Sequence, residues 1–136
     1  MIARWPGRIT AGTTTDHVSA FWDVMPTLAD LLDTEVTTPT DGISFLPVLL
    51  GDTANQQQHK SLYWEFHEQG GRTGVRAGDW KLVQYNAWSD PPGAVQLYNL
   101  RNDESEENNV AEEFPEKVNE LKTVMASQRT PSPVFD

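Results

Sequence analysis

The chain has 136 residues, 38% of them hydrophobic and 10% aromatic, with five Trp; this is the length of one domain and too rich in large apolar side chains for a disordered polymer. Twenty acids against ten bases give a net charge of -10, so nucleic acid and anionic membranes, which such a surface repels, are not expected as partners. Cys is absent, which removes disulfides, thiolate nucleophiles and thiolate zinc sites and leaves the compartment undetermined.

Met1–Trp5 reads as a short strand stopped by Pro6-Gly7, and Arg4 interrupts any apolar stretch of the kind a signal peptide needs. From Phe21 the pattern turns helical: Val24, Leu28, Leu31 and Leu32 share a face, Asp23 is placed to cap, and Pro26 is tolerable in a first turn, so a helix is expected near 23–32. Phe45–Leu50 forms a short apolar turn ended by Gly51, and Asp52–Lys60 reads as a solvated loop.

The middle of the chain reads as a meander. Leu62–His67 is the first strand, Gly70-Gly71 supplies the positive φ of a hairpin, Thr73–Arg76 returns, Gly78-Asp79 turns again, and Trp80–Tyr85 and Val95–Asn99 follow. From Asp103 to Glu120 there are eight acids and one base, Lys117, the pattern of a solvated loop and the wet face of a helix. Phe114, Val118, Leu121, Val124 and Met125 recur at helical spacing, which lays an apolar stripe on the sheet. The fold class expected is α+β: a small antiparallel sheet of about four strands packed against a C-terminal helix, preceded by an N-terminal helical connector. Residues 1–60 form the connector, 61–128 the sheet and helix, and 129–136 a frayed tail.

Chemistry is hard to find in these residues. No Gly-x-Ser-x-Gly elbow exists for a serine hydrolase. His67-Glu68 begins like a zinc-protease helix, but position 71 is Gly and the context is a strand. Asp16, His17 and Asp23 read as structural or solvated, so no metal site is expected in this chain. On the first strand, alternation puts Leu62, Trp64 and Phe66 on one face, expected to meet the helix, and Tyr63, Glu65 and His67 on the other. Glu68, Gln69 and Arg72 then gather at the hairpin tip. Trp88, in a loop with Pro and Asp, is the candidate for stacking against a glycan ring.

Several short motifs in order resemble the C-terminal third of the type I, formylglycine-dependent sulfatases: Arg4-Trp5-Pro6-Gly7, Asp23-Val24-Met25-Pro26-Thr27-Leu28, Asp41-Gly42-Ile43-Ser44-Phe45-Leu46-Pro47, Tyr63-Trp64-Glu65, Arg76-Ala77-Gly78-Asp79-Trp80-Lys81-Leu82, Leu97-Tyr98-Asn99-Leu100 and Asn108-Asn109-Val110-Ala111. The resemblance covers roughly residues 1 to 125. It departs at Asn99-Leu100, where the family often has Asp-Leu, and at Asp103-Glu104, where it has Asp-Pro.

The resemblance implies sulfate-ester hydrolysis by a formylglycine made within Cys/Ser-x-Pro-x-Arg, supported by calcium on Asp and Asn ligands. None of these catalytic elements can be placed here; Ser89-Asp90-Pro91-Pro92-Gly93 ends in Gly where Arg is needed. The chain is therefore expected to be inactive alone, its partner being a sulfatase catalytic domain that precedes it, with Met1 an internal residue of a longer ancestral chain or a late start. His67, Glu68 and Arg72 are the substrate-contact candidates in a complete enzyme. Parent sulfatases are often periplasmic or secreted. Either self-association through residues 1–25, around Trp5, Phe21 and Trp22, or disorder of the first few residues is a further expectation, and the rival reading is an independent glycan- or protein-binding module.

Overall fold

The computed structural model describes residues 1–134, so the last two residues of the expected tail lie outside the described residues. The chain divides into two units, Met1–His59 and the part from Lys60 onward.

In the first unit a single 3-10 turn, Phe21–Asp23, runs into α1, Val24–Leu31, and α2 is one turn, Leu46–Leu49. Both helices carry a Pro in their first turn, where its missing N–H is no loss. The strand expected at Met1–Trp5 does not form. A strand exists only through a ladder, and the one sheet among the described residues is built from strands of the second unit. The chain turns instead, with the Trp5 carbonyl accepting from the amides of Arg8 and Ile9 at 3.0 and 2.9 Å and Gly7 at φ 80°.

Asp23 is not the side-chain cap the sequence suggests. Its backbone is already helical, and its fully buried carboxylate accepts from the amides of Ala20 at 2.7 Å and Ile43 at 2.9 Å and from His59 Nε2 at 2.9 Å. Thr27, one turn on, donates to the Asp23 carbonyl and accepts from the Phe45 amide, so α1 and the segment 43–45 are stitched at two points. Gly42 is required by closeness: a Cβ there would stand 2.4 Å from the Trp22 carbonyl oxygen. Gln56, expected in a solvated loop, is buried and takes the Val48 amide on Oε1 while donating to the Ser44 carbonyl. A four-residue helix leaves its first amides without intrahelical partners, and a buried side chain must supply one.

The second unit is a meander of β1 (Leu62–Phe66), β2 (Arg72–Ala77), β3 (Trp80–Tyr85) and β4 (Val95–Asn99) in the order β1-β2-β3-β4, all antiparallel, followed by α3 (Pro115–Gln128). Gly70 and Gly71 both lie at φ 82° and Gly78 at φ 58°, as the two tight turns need. Val75, Leu82 and Leu97 stand in one row across β2, β3 and β4 and pack against Val118 and Leu121 of α3. Burial of this kind contributes roughly 1.5–3 kcal/mol per side chain. Beyond β4 the chain closes the edge itself: the Leu97 amide donates to Asn109 Oδ1 at 3.0 Å, and the Val110 amide donates to the Leu97 carbonyl at 2.9 Å.

The register corrects one expectation. Tyr63 lies opposite Val75 and Glu65 opposite Thr73, and Val75 belongs to the core under α3, so Tyr63 and Glu65 share the helix face. Trp64 and Phe66 are on the open face, 40% and 47% exposed. The helix packs on β2 and β3, so the helix face of β1, the edge strand, accommodates polar side chains that a central strand would not.

A polar cluster on the edge strand as the candidate functional site

Strand alternation sets Tyr63 and Glu65 on one face, and His67 follows two residues later with the same direction. Glu65 gathers three donors: the Tyr63 hydroxyl, His67 Nε2 at 2.6 Å, and the Arg129 guanidinium, whose Nε is 3.1 Å away. Burial alone would push the Glu65 carboxyl up; the Tyr63 hydroxyl, the Arg129 guanidinium and His67 outweigh it and hold the group below its ordinary value. The Tyr63 phenol is raised well above its usual range, first by burial and then by the Glu65 carboxylate it donates to.

Trp88 completes the cluster. Its loop extends the β1–β2 hairpin through two backbone bonds, Ala87 N–H to the Gly71 carbonyl and Trp88 N–H to the Gly70 carbonyl, both 3.1 Å. The indole stacks on His67 at 5.2 Å between centroids and 13° between planes, and the Arg129 guanidinium lies 5.2 Å from its ring. Gly71 makes room for it: a Cβ there would sit 1.8 Å from Trp88 Cδ1.

The structure separates the residues that the sequence places together at the hairpin tip. His67 joins Glu65 and Trp88 on the helix side. Arg72 lies on the open face, its Nη2 bonded to Gln69 Oε1 at 2.9 Å and its guanidinium 5.9 and 5.4 Å from the rings of Phe66 and Tyr85. Glu68 is exposed in the turn between them. Trp88 is 43% exposed, with part of its ring taken by His67. Arg129 was absent from the residues singled out by sequence; it lies 64 positions from Glu65, beyond the reach of local spacing. The alternation of Tyr63, Glu65 and His67 was the available signal that a polar face needed a partner.

The cluster combines hydrogen-bond donors, a carboxylate and a stacking ring, an arrangement able to orient and recognise a polar ligand. Among the described residues no group of three or more His, Asp or Glu is placed to hold a metal ion, so the calcium implied by the resemblance finds no fitting donor set in them. No helix among them is long and apolar enough to cross a membrane.

A family profile described as N-sulphoglucosamine sulphohydrolase, C-terminal, matches residues 1–130. N-acetylglucosamine-6-O-sulfatase of Bacteroides thetaiotaomicron is 28% identical over 134 residues, covering 92% of this chain and 24% of that protein. Arylsulfatase K of Homo sapiens is 32% identical over 120 residues, covering 82% of this chain and 22% of that protein. The solved structure of BT4656 in complex with its substrate D-glucosamine-2-N,6-O-disulfate superposes with a TM-score of 0.71 at 27% identity, over 91% of this chain and 26% of that one. The chain thus spans about a quarter of the length of the curated relatives it matches. Since the profile runs along nearly the whole sequence and the relatives agree with it, the chain belongs to the N-sulphoglucosamine sulphohydrolase C-terminal family, a C-terminal region of sulfatases.

Proposed function

We propose that the chain serves as the C-terminal part of a sulfatase, forming one wall of the substrate cleft and leaving the chemistry to the rest of the enzyme. The observation that carries this reading is the family match over residues 1–130. On this reading, formylglycine, which supplies the group that attacks the sulfate ester, and calcium belong to the catalytic part that precedes this region. The residues 1–60 act as the connector from that part, and the sheet and helix of 61–128 act as the wall.

His67, Glu68 and Arg72 remain the substrate-contact candidates, now as two distinct surfaces. His67, held by Glu65 and stacked on Trp88, is fixed in place before a substrate arrives, so a contact with its ring costs little side-chain ordering on binding. Arg72 presents a cation on the other face of the sheet, and Glu68 sits between them. The relatives' names point to sulfated sugars as the substrate class: one is an N-acetylglucosamine-6-O-sulfatase, and BT4656 was solved with a disulfated glucosamine.

The test has two parts. The purified chain, with calcium added, should turn over an aryl sulfate no faster than a heat-killed control; turnover above that control would overturn the proposal. In a complete enzyme containing this region, His67→Ala, Glu68→Ala and Arg72→Ala should weaken kcat/KM for an extended sulfated substrate more than for a small aryl sulfate. Equal losses on both substrates would reject a role in contacting the substrate.

A further inference from the structure

His67 stands at the end of a series of contacts that begins in the core. Val118 and Leu121 seat α3 on the sheet, with Val124 and Met125 packed beside them, and Arg129 is the first residue past the helix, its backbone extended at φ -68° and ψ 125°. The position of Arg129 is thus inherited from buried side chains, while its own side chain is free of the helix and turns back to the sheet. It donates from Nε to Glu65 Oε2 at 3.1 Å and from Nη2 to Oε1 at 3.4 Å, and its guanidinium lies 5.2 Å from the Trp88 ring centre.

Glu65 and Trp88 are the two supports of His67. Glu65 Oε1 lies 2.6 Å from His67 Nε2, and the indole stacks on the imidazole with 13° between planes. Either support alone leaves the imidazole a freedom: it can turn about a single hydrogen bond, and it can slide over a flat indole. Together they define one orientation, and Arg129 is in contact with both. A guanidinium can pair with a carboxylate through its edge and stack on an aromatic ring through its face at the same time, which a compact ammonium cannot do. The Arg129, Glu65 and His67 side chains keep only 29%, 15% and 21% of their surface exposed, so these charge-assisted contacts are partly shielded from water and correspondingly stronger.

We propose that Arg129 is a positioning residue of this site, fixing the orientation of the His67 ring through Glu65 and Trp88 and so setting how tightly the extended part of a substrate is held. Arg129 itself touches no substrate; its effect is exerted through His67 and rests on the reading of that residue as a substrate contact. A plain tie between the helix end and the edge strand would stabilise the fold but leave the imidazole where it is.

Two measurements separate these roles. In the full chain, the His67 ring signals in NMR carry the displacement imposed by the stacked indole. Arg129→Ala should lose at least half of that displacement while the β2 and β3 amides keep their protection from exchange, and Arg129→Lys, which keeps a charge beside Glu65 but not the stack on Trp88, should fall between. Unmoved His67 signals in a folded Arg129→Ala chain would overturn the proposal.

The second measurement is made in a complete sulfatase containing this region, assayed on a disaccharide bearing glucosamine 6-sulfate. Arg129→Ala should raise KM about threefold or more with little change in kcat, and in the His67→Ala background the same replacement should have almost no effect. Lys122→Gln, which removes an exposed cation from α3, should change neither constant. A rise in KM that is the same with and without His67, or no rise where His67→Ala alone raises KM, would overturn the proposal and leave the contact role of His67 standing. No effect of His67→Ala would overturn that contact role itself, and the positioning with it.

Discussion

Arg129, the residue that follows α3, reaches back across 64 positions to donate from Nε to the Glu65 carboxylate at 3.1 Å. The end of the helix is thereby tied to the edge strand of the sheet it covers. Charge-assisted hydrogen bonds of this kind contribute about 1–3 kcal/mol when their partners are partly shielded. Arg129→Ala should lower the unfolding free energy by about 1–2 kcal/mol in urea titrations, with the loss of amide protection concentrated in the last turn of α3. Arg129→Lys should restore less than half, because an ammonium cannot reproduce the forked contact with Glu65 and the stack on Trp88.

The same carboxylate gives the fold an acid dependence. A carboxyl held below its unfolded value, 4.5 for Glu65, contributes its full stability above that pH and loses it as pH falls through the folded-state value. Glu65→Gln should therefore be less stable than wild type at pH 7, and the gap should close as the pH is taken below about 4. The acid sensitivity left in the variant belongs in part to Asp103, whose carboxyl is held down by the backbone amides of Asn108 and Glu107. Urea midpoints measured from pH 7 to pH 3 on both proteins check the sign; a gap that widens on acidification would contradict it.

Asp23 is a buried anion serving two amides and His59. Removing it strands each of those donors away from water. Asp23→Ala should cost about 2–4 kcal/mol, and Asp23→Asn about half as much, since one acceptor oxygen survives. Hydrogen exchange at the Ile43 amide is the direct readout and should accelerate strongly in the Ala variant while the β2 and β3 amides keep their protection.

Gly71 carries two demands at once, a φ of 82° and the nearness of Trp88. Gly71→Ala should destabilise the second unit by about 1–3 kcal/mol and expel the Trp88 indole, seen as loss of the ring-current shifts that His67 and Trp88 impose on one another. Unchanged shifts in a folded Ala variant would show that the hairpin yields without moving the indole.

Ile2 and Phe21 are 97% and 91% exposed, and such side chains commonly mark contact surfaces when several lie in one region. The expectation of self-association through residues 1–25 is checked by sedimentation between 10-fold steps in concentration: the wild-type chain should gain mass, and an Ile2→Ser, Phe21→Ser double variant should remain monomeric. A monomeric wild type throughout would dismiss it.

The strands were legible because each is bounded by residues with one conformational job. Gly70-Gly71 and Gly78-Asp79 fix the turns, and β3 and β4 fall at Trp80–Tyr85 and Val95–Asn99 as the alternation indicates. What alternation cannot give is which face meets the helix. In Leu62–Phe66 the more apolar set, Leu62, Trp64 and Phe66, looks like the core side, yet the pairing of Tyr63 with Val75 assigns the opposite face. That choice rests on Arg129 and Met125 of the C-terminal segment, which meet Glu65 and Thr73 from far along the chain. The candidate site suffered for the same reason: His67 and Arg72 flank one hairpin in sequence, but the strand direction sends them to opposite faces. Met1–Trp5 failed as a strand because local propensity says nothing about whether a neighbour will be there.

The closure of the β4 edge by Asn109 and Val110 has a further effect. A sheet has two borders along which another strand can be added, and here the chain itself has already occupied one. Growth of this sheet, whether by an extended peptide, a strand from elsewhere in a larger protein or a second copy, is barred at Leu97 of β4, where both backbone groups are already taken. A fibre built by edge pairing needs two open borders on every copy, so closing the one beside β4 is enough to stop strand addition from running on from copy to copy.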